Sequence, residues 1–217
     1  MSETYTLLLR LEGPMQSWGY RSRFDYRDTA LEPTRSGVIG LICSAWGIAR
    51  GEDITRFENI NMGVRVDREG RPERDYHTAL HVIKADGSGT GTVQSWRDYL
   101  ADAAFTVGLE SDDKKLLDEI EVHLKNPHWP LFLGRKAFPL ASFPLSASQP
   151  AIVPLPLREA LEQAAFSLRC KLRRGKLRCR YILEMHDGER TQHDWPLCFG
   201  KRKFKPRSIH ITFDDKG

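Results

Sequence analysis

The sequence contains no apolar run approaching the ~18 residues that would carry a helix across a bilayer, so a helical membrane span is not expected. Cysteine is scarce: Cys43, Cys170, Cys179 and Cys198, with no CxxC pair among them. They read as reduced thiols in a cytosolic protein. A cross-strand Cys170–Cys179 disulfide would need an oxidising compartment that nothing in the chain implies. The opening MSETYTLLLR has an acidic residue and no cationic leader before its apolar run, unlike a signal peptide. His77 and His81 stand four apart, but no HExxH glutamate accompanies them and the segment reads as extended, so no metal is expected. The glycines of GSGTG are not followed by Lys-Ser/Thr, so no phosphate loop is present and no cofactor is called for. No Ser/His/Asp or Cys/His set has spacing that marks a nucleophile, and the Asp112-Asp113 pair reads as a partner of a helix dipole. There is neither an internal repeat nor a low-complexity tract.

What the chain does have is unevenly placed positive charge. Its 217 residues suit one large domain or two small ones, and the net charge is only +4. Residues 166–207 alone carry 13 Lys/Arg against 4 Asp/Glu. A cationic segment on a mildly acidic body points to an anionic partner held at one end, with a merely solvated face as the plain alternative. Within it, RCKLRRGKLRCR (169–180) is nearly symmetric about Arg174-Gly175. As a hairpin it would show Cys and Leu on one face and Arg169, Lys171, Arg173, Lys176, Arg178 and Arg180 on the other. A second basic stretch, KRKFKPR, contains Lys201, Arg202 and Lys203 and reads as a phosphate clamp or a flexible segment before a last strand, RSIHITF.

The hydrophobic pattern predicts an α+β fold. TLLLRLEGP (6–14) is a buried strand with a sharp stop, followed by a long polar and aromatic loop. A helix is predicted at about 35–48, capped by Thr34 or Ser36 and ended by Gly47, its glycines at 37 and 40 permitting close approach of another backbone. INMGVRVDREG is a strand, and RDYHTALHVIK with GTVQSWRDYL forms a long arm around a Gly-rich tip. AAFTVGLE (103–110) is a strand, SDDKKLLDEIEVHLKNP a helix capped by Ser111, and HWPLFLGRKAFPL a Pro-bounded extended stretch. Through residue 140 the order is βαββαβ, the ferredoxin-like split unit, whose open sheet face takes bases in RNA-recognition modules. Residues 1–145 form this unit and 146–217 a smaller, basic, β-rich region.

Four motifs carry candidate chemistry. In GPMQSWG (13–19), Gln16 offers donors and an acceptor and Trp18 a flat face for an unpaired base, or Trp18 plugs the core beneath the loop. In PTRSG (33–37), Arg35 and Ser36 stand at a helix start where free N–H groups favour phosphate; capping accounts for Thr34 and Ser36 equally, but not for a cation there. QSWRDY supplies Gln94, Trp96, Arg97 and Tyr99, which suits RNA and also any alternating strand. LGRKAFP (133–139) places Arg135 and Lys136 in a turn, for phosphate or for solvent.

Taken together and in this order, RLEGPMQSWG, PTRSGVIGLICSAWGI, RDYHT, QSWRDYLADAAFTV and PLFLGRKAFPL closely resemble the CasD-type subunits of the type I-E CRISPR surveillance complex, Cascade, within the repeat-associated mysterious protein (RAMP) superfamily. The likeness is dense over residues 5–145 and weak afterwards; the Gly-rich C-terminal loop common in the superfamily is not visible. It implies a ferredoxin-like domain with a projecting hairpin thumb at about residues 74–96 and a small C-terminal subdomain. It implies a non-catalytic cytoplasmic subunit for antiviral defence that caps the 5′ handle of CRISPR RNA. Its partners would be the backbone subunit and the large PAM-reading subunit, with target DNA a further candidate for the basic hairpin. Residue by residue, it implies handle contacts at Gln16, Ser17 and Trp18, a phosphate site at Arg35, Ser36 and Gly37, a thumb base at Tyr76 and His77, and phosphate contacts at Arg135 and Lys136. The competing enzymatic reading is a metal-independent endoribonuclease that processes precursor CRISPR RNA, as in the type I-C relative, using Tyr76, His77 and Lys84. A generic RNA-binding module outside CRISPR is the third reading.

Overall fold

A computed structural model describes residues 3–19, 25–166 and 177–216. The Leu-rich run near the N-terminus forms β1 (Tyr5–Glu12). Leu7, Leu9 and Leu11 alternate onto one face and belong to the main apolar core, while Leu8 turns to the other face. Two short strands follow, β2 (Met15–Gln16) and β3 (Tyr26–Arg27), and then α1 (Arg35–Trp46). Thr34 is the cap, its hydroxyl accepting from Gly37 N, and Gly47 ends the helix in the left-handed conformation at φ 84°. β4 (Asn61–Arg68) leads into a long ribbon of β5 (Arg71–Ile83) and β6 (Thr90–Ala101), and β7 (Ala104–Ser111) returns to the centre. α2 (Lys114–Lys125), β8 (Ile152–Val153), α3 (Leu157–Gln163), β9 (Leu177–Glu184), β10 (Arg190–Cys198) and β11 (Lys203–Lys216) complete the described elements.

Seven strands make one sheet in the order β10-β11-β9-β4-β7-β1-β8. Its pairings are antiparallel throughout, so strands from both the N-terminal and the C-terminal stretches share it. β6 lies in a second sheet, with β5 along one edge and the short β2 and β3 along the other. No helix among the described residues is long and apolar enough to cross a membrane.

Apolar side chains lie on both faces of the main sheet. α1 and α2 contribute to the larger core, whereas Leu157 and Leu161 of α3 form a second cluster with Cys179, Tyr181 and Leu183. Gly63 and Gly108 are directly paired across β4 and β7. A Cβ on Gly108 would stand 2.6 Å from Leu157 Cδ1, and one on Gly63 2.9 Å from Leu161 Cδ1, so the glycines make the flat seat on which α3 rests. Arg65 is fully buried there: its guanidinium donates to the last carbonyls of α3, Leu161 O and Ala164 O, and pairs with Asp67 at 2.6 Å. The open sheet face expected for base stacking is thus covered over its centre by α3.

Other expectations are corrected in detail. Residues 128–140, expected as the strand after α2, make only an isolated Phe132–Pro139 bridge, and the next strand of the main sheet is the two-residue β8, paired with β1. Asp113 rather than Ser111 caps α2, accepting from Leu116 N at 3.1 Å; Ser111 ends β7 and its hydroxyl accepts from Asp113 N. KRKFKPR is not a flexible prelude: it runs through the β10–β11 turn into β11, and its Arg207 is buried against Asp194. Arg169, Lys171, Arg173 and Lys176 of the symmetric hairpin lie outside the described residues, and Arg178 lies within β9. Arg180 does not belong to an open cationic face, because Glu32 and Glu69 both hold it at 2.9 Å.

Candidate nucleic-acid interface

The loop that leaves β1 is built inward. Gln16 is fully buried; its amide donates to Leu11 O at 3.2 Å and Ala103 O at 2.9 Å, and its Oε1 accepts from the Trp18 indole at 3.1 Å. Trp18 is 1% exposed, and its ring lies over α1, where a Cβ on Gly37 would come within 2.7 Å of it. Gly37 therefore admits the indole, not a second backbone. Gln16 and Trp18 offer no face to a ligand; their work is to hold the backbone of Ser17 in place.

Arg35 is also corrected. It starts α1, but its guanidinium turns away into the interior, 1% exposed. It donates to Ile60 O at 2.5 Å and Phe57 O at 3.0 Å, pairs with Glu184 at 3.0 Å, and lies 3.7 Å above the Trp195 ring. The helix start, expected to receive a phosphate, receives a carboxylate of the chain itself: Asp194 accepts from Arg35 N at 2.8 Å. Asp194 also holds Arg207 at 2.7 Å. Burial pushes Glu184 above the usual carboxylate range, while Arg35 and Arg207 pull it back. This buried group fastens α1 to the C-terminal strands.

The turn at Gly134 docks onto the same loop. Gly134 adopts φ 86°, and a Cβ there would stand 1.7 Å from Ser17 O, inside the backbone. Ser17 N donates to Leu133 O at 3.0 Å. Gly134→Ala is expected to cost at least ~1–3 kcal/mol from left-handed strain alone, with the collision added, read as a fall in melting temperature.

These dockings leave a cleft of about 620 Å³. Ser17, Ser36, Gly134, Arg97 and Arg135 line it, as do Arg27, Asp28, Arg50, His193, Phe199, Arg202 and Phe204. Five arginines thus face one carboxylate, so the cleft suits an anion. Arg135 is fixed by donating to Asp98 O at 2.8 Å, and Arg97 by donating to the Ser95 hydroxyl at 2.9 Å. Burial, and next the charge of Arg97, hold the Arg135 guanidinium below its ordinary pKa; a bound anion would relieve that repulsion. Lys136 is exposed beside it.

The ribbon has two unlike faces, since neighbours along a strand point opposite ways. Tyr76 packs on Trp96 at 5.7 Å, with Arg74, Tyr26 and Asp98 bonded together nearby. His77, 3.8 Å from Asp75, belongs to the opposite face, with Ser95 and Arg97. Gln94 is exposed across from Thr78. Among the expected site residues, Ser17, Ser36, Arg97 and Arg135 meet in the cleft, Gly37, Gln16, Trp18 and Arg35 support it, and Tyr76, His77 and Gln94 lie on the ribbon. Sequence reading missed Arg27, Arg50, His193, Phe199 and Phe204, which come from four separate segments with no motif in common.

The model of the CRISPR-associated protein family Cas5 (Cas_Cas5d) matches residues 6–210. The chain belongs to the Cas5 family. One relative of this Cas5 chain is the CRISPR system Cascade subunit CasD of Escherichia coli (strain K12), 36% identical over 150 residues, 62% of this chain. The match spans 66% of that subunit's length, just under two thirds. A solved structure described as a Cas protein is 38% identical with a TM-score of 0.75, covering 97% of this chain and 95% of its own. A chain of a CRISPR RNA-guided surveillance complex is 32% identical with a TM-score of 0.80, covering 97% and 90%. The Cas5 fold is accordingly a strand-rich mixed α/β fold with three described helices.

Proposed function

We propose that this Cas5 chain is a non-catalytic subunit of a type I-E CRISPR surveillance complex and that it binds the 5′ handle of CRISPR RNA in the arginine-lined cleft. The observation that carries the reading is the meeting, in one cleft, of the first loop, the α1 start, the ribbon base and the Gly134 turn, with five arginines and one carboxylate. Unpaired RNA offers the phosphates such a cleft neutralises. The likeness to CasD and to the surveillance-complex chain supports the assembly. On this reading the β4-β7-β1-β8 order with α1 and α2 is the ferredoxin-like unit, and the β5–β6 ribbon is its thumb. Residues 1–145 supply most of the cleft and 146–217 close it. Backbone and large subunits, in the cytoplasm, are the expected neighbours, and Lys136 with Lys201 and Lys203 extends the cationic rim.

The endoribonuclease reading is weaker on geometry. Tyr76 and His77 are successive residues on opposite faces of a strand, and Lys84 lies seven residues on, roughly 20 Å away at ~3.3 Å per residue. They do not converge on one 2′-hydroxyl. Incubating the protein with repeat RNA in EDTA is expected to leave the RNA intact; cleavage abolished by His77→Ala would reverse the assignment. For binding, the R97Q/R135Q double variant is expected to lower the slope of log K against log salt by about 1.4, two contacts at ~0.7 each. A folded variant with the wild-type slope removes both arginines from the RNA path.

A further inference from the structure

The C-terminal wall of the cleft has a chemistry of its own. Phe199 ends the β10 side of the turn and Phe204 opens the β11 side, their rings edge to face at 6.5 Å. The turn between them is fastened twice to the N-terminal half of the chain. Phe199 reaches to within 3.8 Å of where a Cβ on Gly40 of α1 would lie, and Gly200 fits against the backbone of Arg50, its virtual Cβ 3.1 Å from Arg50 O. Phe204 nevertheless remains 41% exposed. Arg202 sits between the two rings in the chain at φ 49°, a left-handed conformation that arginine rarely adopts, with its N–H donating to Phe199 O at 3.2 Å. Such strain marks a place where the side chain itself matters. Neither Arg202 nor Arg50 makes a side-chain hydrogen bond or ion pair with any other described residue, unlike Arg97 and Arg135.

An exposed aromatic face on a rigid turn, sharing its cleft with two uncommitted guanidinium groups, has the composition of a single-nucleotide subsite. The ring stacks a base and the cations hold its phosphate. An apolar protein partner would not call for uncommitted arginines lining the same cleft as the ring, and a simple anion would not call for the ring. We propose that Phe204, backed by Phe199, stacks one unpaired RNA base at the C-terminal end of the cleft, with Arg202 and Arg50 on its phosphate. This rests on the RNA-binding reading above and adds to it a base-accepting position supplied by the C-terminal strands.

The test measures affinity of the full chain for single-stranded handle RNA, with the wild-type fold checked by circular dichroism. F204A is expected to weaken binding about 5- to 150-fold, the span of one lost base–aromatic stack, with an unchanged salt slope. F204W is expected to restore it, and R202Q to lower the slope by about 0.7. With RNAs made abasic one position at a time, one position should abolish the difference between F204A and wild type. If F204A binds like wild type while R135Q binds more weakly, the base platform is refuted and the cleft assignment stands. If R135Q and R97Q are also without effect, the RNA-binding reading itself fails.

Discussion

Trp18→Ala is expected to destabilise the protein by about 3–5 kcal/mol, the cost of emptying a buried Trp site, and to lower the melting temperature by roughly 6–20 °C for a domain of this size. The indole is 1% exposed and is the plug between the first loop and α1. Its removal opens a cavity over Gly37 and strips Gln16 Oε1 of its donor. Gln16 in turn ties β2 to Leu11 O and Ala103 O, so the loosened network reaches the Ser17 backbone at the cleft. Loss of RNA affinity should follow the loss of folded protein. A variant that melts like wild type yet has lost RNA binding would instead make Trp18 a stacking face and contradict its placement.

Arg35→Ala is expected to cost about 3–5 kcal/mol, the penalty for leaving a buried carboxylate without its partner. The partner is Glu184, whose side chain is 9% exposed, and Arg207 at 3.6 Å compensates only in part. The deficit depends on pH. Burial already holds Glu184 above its ordinary range, and Arg35 opposes that shift. In the variant the carboxyl stays protonated to still higher pH in the folded state than in the unfolded chain. The folded state then binds more protons across the window just above the ordinary value of 4.5, so stability falls as pH rises through it. Thermal unfolding at several pH values should show this fall to be steeper for Arg35→Ala than for wild type, and Glu184→Gln should recover much of the loss. The salt dependence of RNA binding should not change, because Arg35 does not line the cleft.

Much of the fold was legible because the relevant signals are local. The Leu-rich run, the Thr34 and Gly47 caps of α1 and the Leu117, Ile120 and Leu124 stripe of α2 each declare an element within a few residues. β8 was not legible, since two residues carry no periodicity and only the edge of β1 makes them a strand. Nor was the cover that α3 gives the second sheet face, which depends on Gly63 meeting Gly108 across two strands. For the candidate cleft, sequence named several of the segments that line it and expected outward some side chains that turn inward. Gln16, Trp18 and Arg35 have the chemistry of ligands for RNA, but whether such groups face outward is decided by partners outside their own motifs: Ala103 for Gln16, Gly37 for Trp18, and Glu184 and Asp194, more than 100 residues away, for Arg35. Arg97 and Arg135, and Arg202 in KRKFKPR, were recognisable because each lies in a motif; Arg27, Arg50 and His193 were not, because the cleft joins them to the rest only in space. The high positive charge of residues 166–207 overstated how open that stretch is, for Arg180 and Arg207 are held by carboxylates.

Handle RNA carrying a photoreactive nucleotide at each position in turn, crosslinked to the assembled complex and mapped to peptides of this chain, tests the cleft directly. Crosslinks are expected in the first loop around Ser17, in the turn around Arg135 and in the β10–β11 turn around Phe204, from neighbouring handle nucleotides. Crosslinks confined to the outer ribbon, with none in these three segments, would contradict the assignment of the cleft as the handle site.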